Sequence, residues 1–144
     1  MSTKPTLVIS ACLLGENCKY NGGNNRNERV IRYAEGCRVI PVCPEVAGGL
    51  PCPRKPVEWR DGRVITADGD DCTEAFRLGV ERTMAQLAGE KVDLAILQSR
   101  SPSCGVRQIY DGTFTGTRVE GMGLLARTLR EHGIPLMDAE DVPE

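Results

Sequence analysis

The chain has 144 residues, 40% of them apolar, and a formal net charge of -2. This is enough chain for one domain whose core folds without covalent staples, taken here as residues 1–144 with a core from about 6 to 137. The 18 basic residues are scattered and the aromatic content is 4%, with no apolar run of transmembrane length, which argues against nucleic-acid polymers and membranes as partners.

In chain order, Thr6–Ala11 is a short continuous apolar run, the pattern of a central strand covered on both faces. Before it, Met-Ser-Thr-Lys-Pro lacks a basic n-region and an apolar h-region, so a cytoplasmic location is expected. Asn-rich turn chemistry at Asn21–Asn25 leads into a helix from Asn27 to Ala34, stopped at Gly36. Arg38–Val42 reads as the second strand. The Gly- and Pro-rich stretch from Pro44 to Pro56 reads as a loop over the strand ends, a usual location for function. Val57–Ile65, with Asp61-Gly62 at its centre, predicts a small β-hairpin.

Asp71–Ala88 carries the longest helical stripe, ending at Gly89. Val92–Gln98 is another buried strand, Thr113–Thr115 a short hairpin arm, Glu120–Glu131 a helix, and Ile134–Met137 a last strand. This order predicts an α/β fold: a single domain with a mostly parallel, Rossmann-like sheet, helices on both faces and a small β-hairpin insertion.

Seven cysteines in such a chain point to metal binding or catalysis more than to a disulfide framework. Cys12, Cys43 and Cys104 each follow a predicted strand, so parallel strands would bring the three thiols to one sheet edge, where open α/β sheets build their sites. A metal or cluster bound there is the expectation. Neither zinc-knuckle spacing nor a ferredoxin run is present, so the signal lies in that convergence. Cys37 and Cys72 read as small buried apolar residues, and Cys52 lies in a loop with no assigned role. Cys18 reads equally as a fourth ligand, a reserve thiol or a packing residue.

Glu45, two residues after Cys43, reads as a capping carboxylate or as a catalytic one. Ser101 either caps the turn at Pro102 or orients a substrate. Arg54 reads as steering an anionic group or, the favoured reading, as one half of a surface pair with Glu58. His132, the only histidine, sits in the last turn of a helix and receives no catalytic role.

The segments Ser-Ala-Cys-Leu-Leu-Gly with Cys18-Lys-Tyr-Asn-Gly, Pro-Val-Cys-Pro-Glu with Gly48-Gly-Leu and Pro53-Arg, and Ser-Pro-Ser-Cys-Gly resemble the motifs of a bacterial family that includes the thiouracil desulfidases. The resemblance runs from about Leu7 to Pro135. It implies a 4Fe–4S cluster held by Cys12, Cys43 and Cys104, with one iron open to the sulfur of a thiolated pyrimidine. It implies hydrolytic, non-redox C–S cleavage that releases sulfide, with Glu45 as base and Ser101 as an orienting or proton-passing group. The implied partner is a small thiolated nucleobase. Two other classes stay open: a thiol enzyme using Cys104, and a zinc-binding or redox-sensing module using Cys12, Cys18, Cys43 and Cys104 without catalysis.

Overall fold

The computed structural model describes residues 4–143. The first apolar run becomes β1 (Thr6–Ser10), every residue of which is buried. A 3-10 turn at Ala11–Leu14 continues from it. Helix α1 (Glu28–Tyr33) starts at Asn27, whose side chain accepts a hydrogen bond from the Val30 N–H at 3.1 Å. Strand β2 (Arg38–Val42) follows, then a short helix α2 (Pro44–Ala47) with proline in its first turn, where the missing N–H costs nothing.

Strands β3 (Val57–Arg60) and β4 (Arg63–Thr66) pair antiparallel around Asp61-Gly62, both at positive φ, 51° and 78°. Those signs at both turn positions make the tight hairpin whose twist suits the flanking strands. Helix α3 (Thr73–Leu87) and strand β5 (Leu94–Leu97) come next. A second hairpin, β6 (Gln108–Tyr110) and β7 (Arg118–Glu120), precedes helix α4 (Leu124–Glu131) and strand β8 (Leu136–Asp138).

The main sheet has the order β2-β1-β5-β8, and every pairing in it is parallel. Alternation along the strands splits the core into two layers. Val8, Ala95 and Leu97 face α3 and α4, packing with Val80, Leu87, Leu125 and Leu129. Leu7, Ile9 and Ile96 face the other way, packing with Leu13, Val30, Ala34, Ala139 and Val142. Helices on both sides explain why β1 is apolar throughout. From β1 the chain crosses one way to β2 and later the other way to β5, so the sheet order reverses at β1.

Three segments depart from the sequence reading. The stretch after Pro44 is a helix for one turn before it becomes loop. Glu120 ends β7 instead of starting a helix, and α4 begins only after Gly123, whose N–H bonds the Gly105 carbonyl at 2.8 Å. Thr113–Thr115 lies in the connection between β6 and β7, not in a strand.

Helix α2 lies against α3 with backbone touching backbone. A Cβ on Gly48 would fall 2.0 Å from the Ala75 carbonyl oxygen, and one on Gly79 would fall 1.7 Å from that of Pro44. Only glycine permits this approach, and it fixes α2, with Cys43 and Glu45, relative to the sheet.

Candidate active site

At the C-terminal edge of the sheet, beside the point where its order reverses, lies a cavity of about 480 Å³. Open α/β sheets bind ligands in this position because loops from neighbouring strands diverge there. Its walls include Cys12 beyond β1, Cys43 beyond β2 and Cys104 in the loop after β5. Cys18, from the loop after the 3-10 turn, joins them. Cys104 is buried, while the other three thiols are half-buried.

Each sulfur has a distinct setting. Asn25 Nδ2 donates to Cys12 Sγ at 3.5 Å. The Cys18 thiol has one hydrogen to donate, to Cys12 or to Cys43. That bond, working against burial, brings the thiol that accepts it, Cys12 or Cys43, down to about 7. Cys18, as the donor, is driven up first by that bond and then by burial. The three thiols therefore titrate as a unit. Burial pushes Cys104 up to about 12, opposed by the neighbouring Ser10 and Ser103 hydroxyls. Ser10 Oγ also accepts the Gln98 N–H at 3.0 Å, tying the end of β1 to the end of β5.

Glu45 stands in the first turn of α2 with both carboxylate oxygens engaged. Arg54 donates to Oε1 from Nε at 3.3 Å and from Nη2 at 3.1 Å. Ser103 Oγ donates to Oε2 at 2.9 Å. Only 8% of the Arg54 side chain and 14% of the Glu45 side chain reach solvent, so this is an interior pair and not the surface pair with Glu58 that sequence proximity suggests. Arg54 also donates to the Cys18 carbonyl at 3.0 Å and the Pro51 carbonyl at 3.2 Å, gathering two loops around Glu45.

Ser101 Oγ accepts the N–H groups of Ser103 at 3.2 Å and Cys104 at 3.1 Å. It therefore caps the turn that presents Cys104, as its position before Pro102 suggests. Its hydroxyl lies 3.1 Å from Ser103 Oγ. With two amides aimed at its lone pairs and the Ser103 proton given to Glu45, the Ser101 proton points to Ser103. The result is a directed chain from Ser101 through Ser103 to Glu45.

Sequence reasoning missed Ser103 as a functional group, Arg54 as the partner of Glu45, and the support from Ser10 and Asn25. The signal for Ser103 was its place inside Ser-Pro-Ser-Cys, where one serine caps and the other is free to reach outward. Cys37 packs in the second core layer, Cys72 precedes α3 and does not line the cavity, and Cys52 donates to the Lys19 carbonyl at 2.9 Å. His132 Nδ1 meets the Thr128 carbonyl at 2.8 Å at the end of α4. Among the described residues, no group of three or more His, Cys, Asp or Glu side chains is placed to hold a single metal ion. No helix among the described residues is long and apolar enough to cross a membrane.

Residues 7–141 match the model of the 2-thiouracil desulfurase family. The chain belongs to that family. The desulfurase match spans all the walls of the cavity described above. The uncharacterized protein YbbK of Bacillus subtilis (strain 168) is 32% identical over 146 residues, covering 94% of this chain and 97% of YbbK. A solved structure described as the [4Fe-4S]-dependent thiouracil desulfidase TudS (DUF523Vcz) superposes with a TM-score of 0.88 at 38% identity, covering 97% of this chain and 94% of that one.

Proposed function

We propose that this chain is a [4Fe–4S]-dependent desulfidase that replaces the sulfur of a thiolated pyrimidine by oxygen from water, releasing sulfide without net redox change. The convergence of Cys12, Cys43 and Cys104 from three adjacent strand ends onto a cavity that also holds Glu45 carries this reading. The donor set fits such a cluster: the ligating atoms on offer are thiol sulfurs, which suit iron–sulfur clusters, and no histidine lines the cavity. Cys12, Cys43 and Cys104 would hold it, with Cys18 left beside them as a hydrogen-bond donor. When bound, a cluster with one open iron acts as a Lewis acid that polarises the C–S bond.

The chain's own groups supply the rest. Water adds to the thione carbon and loses a proton to a Glu45 carboxylate oxygen; the carbon–sulfur bond breaks, and the carbon keeps the oxygen as a carbonyl. The balance is thiouracil plus water giving uracil plus hydrogen sulfide. Arg54 holds the Glu45 carboxylate in place through two hydrogen bonds to its Oε1. Ser103 and Ser101 form the path by which a proton is passed to or from Glu45 Oε2.

Anaerobic reconstitution with iron and sulfide tests the reading. Protein so loaded should convert 2-thiouracil to uracil and sulfide in equal amounts. Cys12→Ser, Cys43→Ser and Cys104→Ser should each lose the iron and acid-labile sulfide that Cys18→Ser retains. Loss of cluster in Cys18→Ser as complete as in the other three would mean four protein ligands and no open iron.

A further inference from the structure

Besides the thiols and Glu45, the cavity is lined by Tyr110 of β6 and by Phe114 of the loop that joins β6 to β7. The chain has two phenylalanines. Phe76 is fully buried in the core, which leaves Phe114 as the one placed on the cavity. Its φ is 58°, a left-handed conformation that a bulky side chain rarely adopts. Such a conformation persists only where the surroundings hold it, and it is often found at ligand clamps.

The hold comes from consecutive side chains of β3. Glu58 Oε1 accepts the N–H of Gly112 at 2.9 Å and the N–H of Phe114 at 3.2 Å. Two residues along the same strand face, Arg60 Nε donates to the Gly112 carbonyl at 2.9 Å, and its Nη2 reaches the same oxygen. Gly112 lies so near the strand that a Cβ there would be 2.6 Å from the Trp59 carbonyl oxygen. Trp59 itself, on the other strand face, donates its indole N–H to the Pro102 carbonyl at 2.8 Å and stands edge-on to Phe76. One strand thus grips the Phe114 loop with two side chains and the Cys104 loop with the one between them, setting the distance between the ring and the thiol wall.

We propose that Phe114 is the face on which the pyrimidine ring stacks, and that Glu58 is the positioning residue that holds it in that place. A planar, uncharged heterocycle offers little for ionic recognition, and an aromatic face in the cavity that holds the reactive groups is the chemistry that orients it. The proposal rests on the desulfidase reading and specifies how its substrate is held.

Binding and turnover separate the two. In the reconstituted enzyme, Phe114→Ala should raise KM for 2-thiouracil by roughly fivefold to a hundredfold, the range of one base–aromatic stack, with kcat falling by less than KM rises. The dissociation constant for uracil, measured by calorimetry, should weaken by a similar factor. Phe114→Tyr should restore both, and Phe114→Leu, which keeps bulk without a π face, should not. Glu58→Ala should weaken uracil binding too, and the double variant with Phe114→Ala should be no worse than Phe114→Ala alone. Unchanged uracil binding in Phe114→Ala and Phe114→Leu, with wild-type turnover intact, overturns the stacking face alone. Additive losses in the double variant overturn the role of Glu58. A wild-type enzyme that neither binds uracil nor acts on 2-thiouracil overturns the desulfidase reading, and this proposal with it.

Discussion

Replacing Gly79 by alanine tests whether the packing of α2 on α3 sets the geometry of the site. The added Cβ would lie 1.7 Å from the Pro44 carbonyl oxygen, where ordinary contact begins at 3.4 Å. Both atoms belong to helical backbone, so no rotamer can relieve the overlap and α2 has to move by more than an ångström. Overpacking of this kind costs about 1–3 kcal/mol, offset by the roughly 1 kcal/mol that alanine gains over glycine in a helix interior. The net loss of stability is therefore small, about 0–2 kcal/mol. Activity should suffer more: Pro44 lies between Cys43 and Glu45, and a misplacement of about 1 Å can cost on the order of 100-fold in rate. Sulfide release from 2-thiouracil by Gly79→Ala, beside urea unfolding and with the exposed Gln86→Ala as control, measures both effects. Activity within about threefold of wild type would refute the claim that this contact places Glu45.

Three further outcomes follow from the same geometry. Ser103→Ala removes the donor to Glu45 Oε2 and should lower kcat/KM by roughly 10- to 100-fold at unchanged iron content, as expected for a hydrogen bond to a charged group; an equal loss in cluster content would point to a purely structural role. Arg54→Met leaves the Glu45 carboxylate with little solvent and no cation, so urea unfolding should show a loss of about 2–4 kcal/mol, part of it recovered by adding Glu45→Gln. In cluster-free protein, iodoacetamide should modify one thiol of the Cys12 and Cys43 pair at a rate that climbs through a pH of about 7, because thiolate is the reactive form and Cys18 has one hydrogen to give the pair. Cys104, pushed up to about 12 by burial, should stay unmodified at that pH, and peptide mapping distinguishes the sites.

The parallel sheet was legible because its strands are continuous apolar runs at β1 and β5, a pattern that both-face burial demands. The first hairpin was legible from Asp61-Gly62, since few other pairs take positive φ at both turn positions. The second hairpin was hidden: its strands are three residues each, and Arg118–Glu120 is exposed throughout, so no alternation marks it. Glu120 then sits beside a helical pattern to which it does not belong, and only Gly121 and Gly123 mark the break. The three strand-end thiols were visible through topology alone. Arg54 was misread because Glu58 is its near neighbour in sequence, whereas its partner Glu45 is reached only when the loop after α2 folds back. Local spacing favours nearby pairs, and an interior ion pair is a product of the tertiary fold.

The proposed ligands bear on the order of assembly. Cys12, Cys43 and Cys104 are scattered over most of the chain and meet only when β2, β1 and β5 have paired, so no short peptide of this sequence presents them together. The two apolar layers on either side of the sheet supply a core that owes nothing to metal. Folding is therefore expected to precede loading, the reverse of a zinc finger, whose peptide stays disordered until the ion arrives. Cofactor then adds to stability by mass action on an already formed site, and a protein stripped of it waits as a folded acceptor open to whatever delivers iron and sulfide.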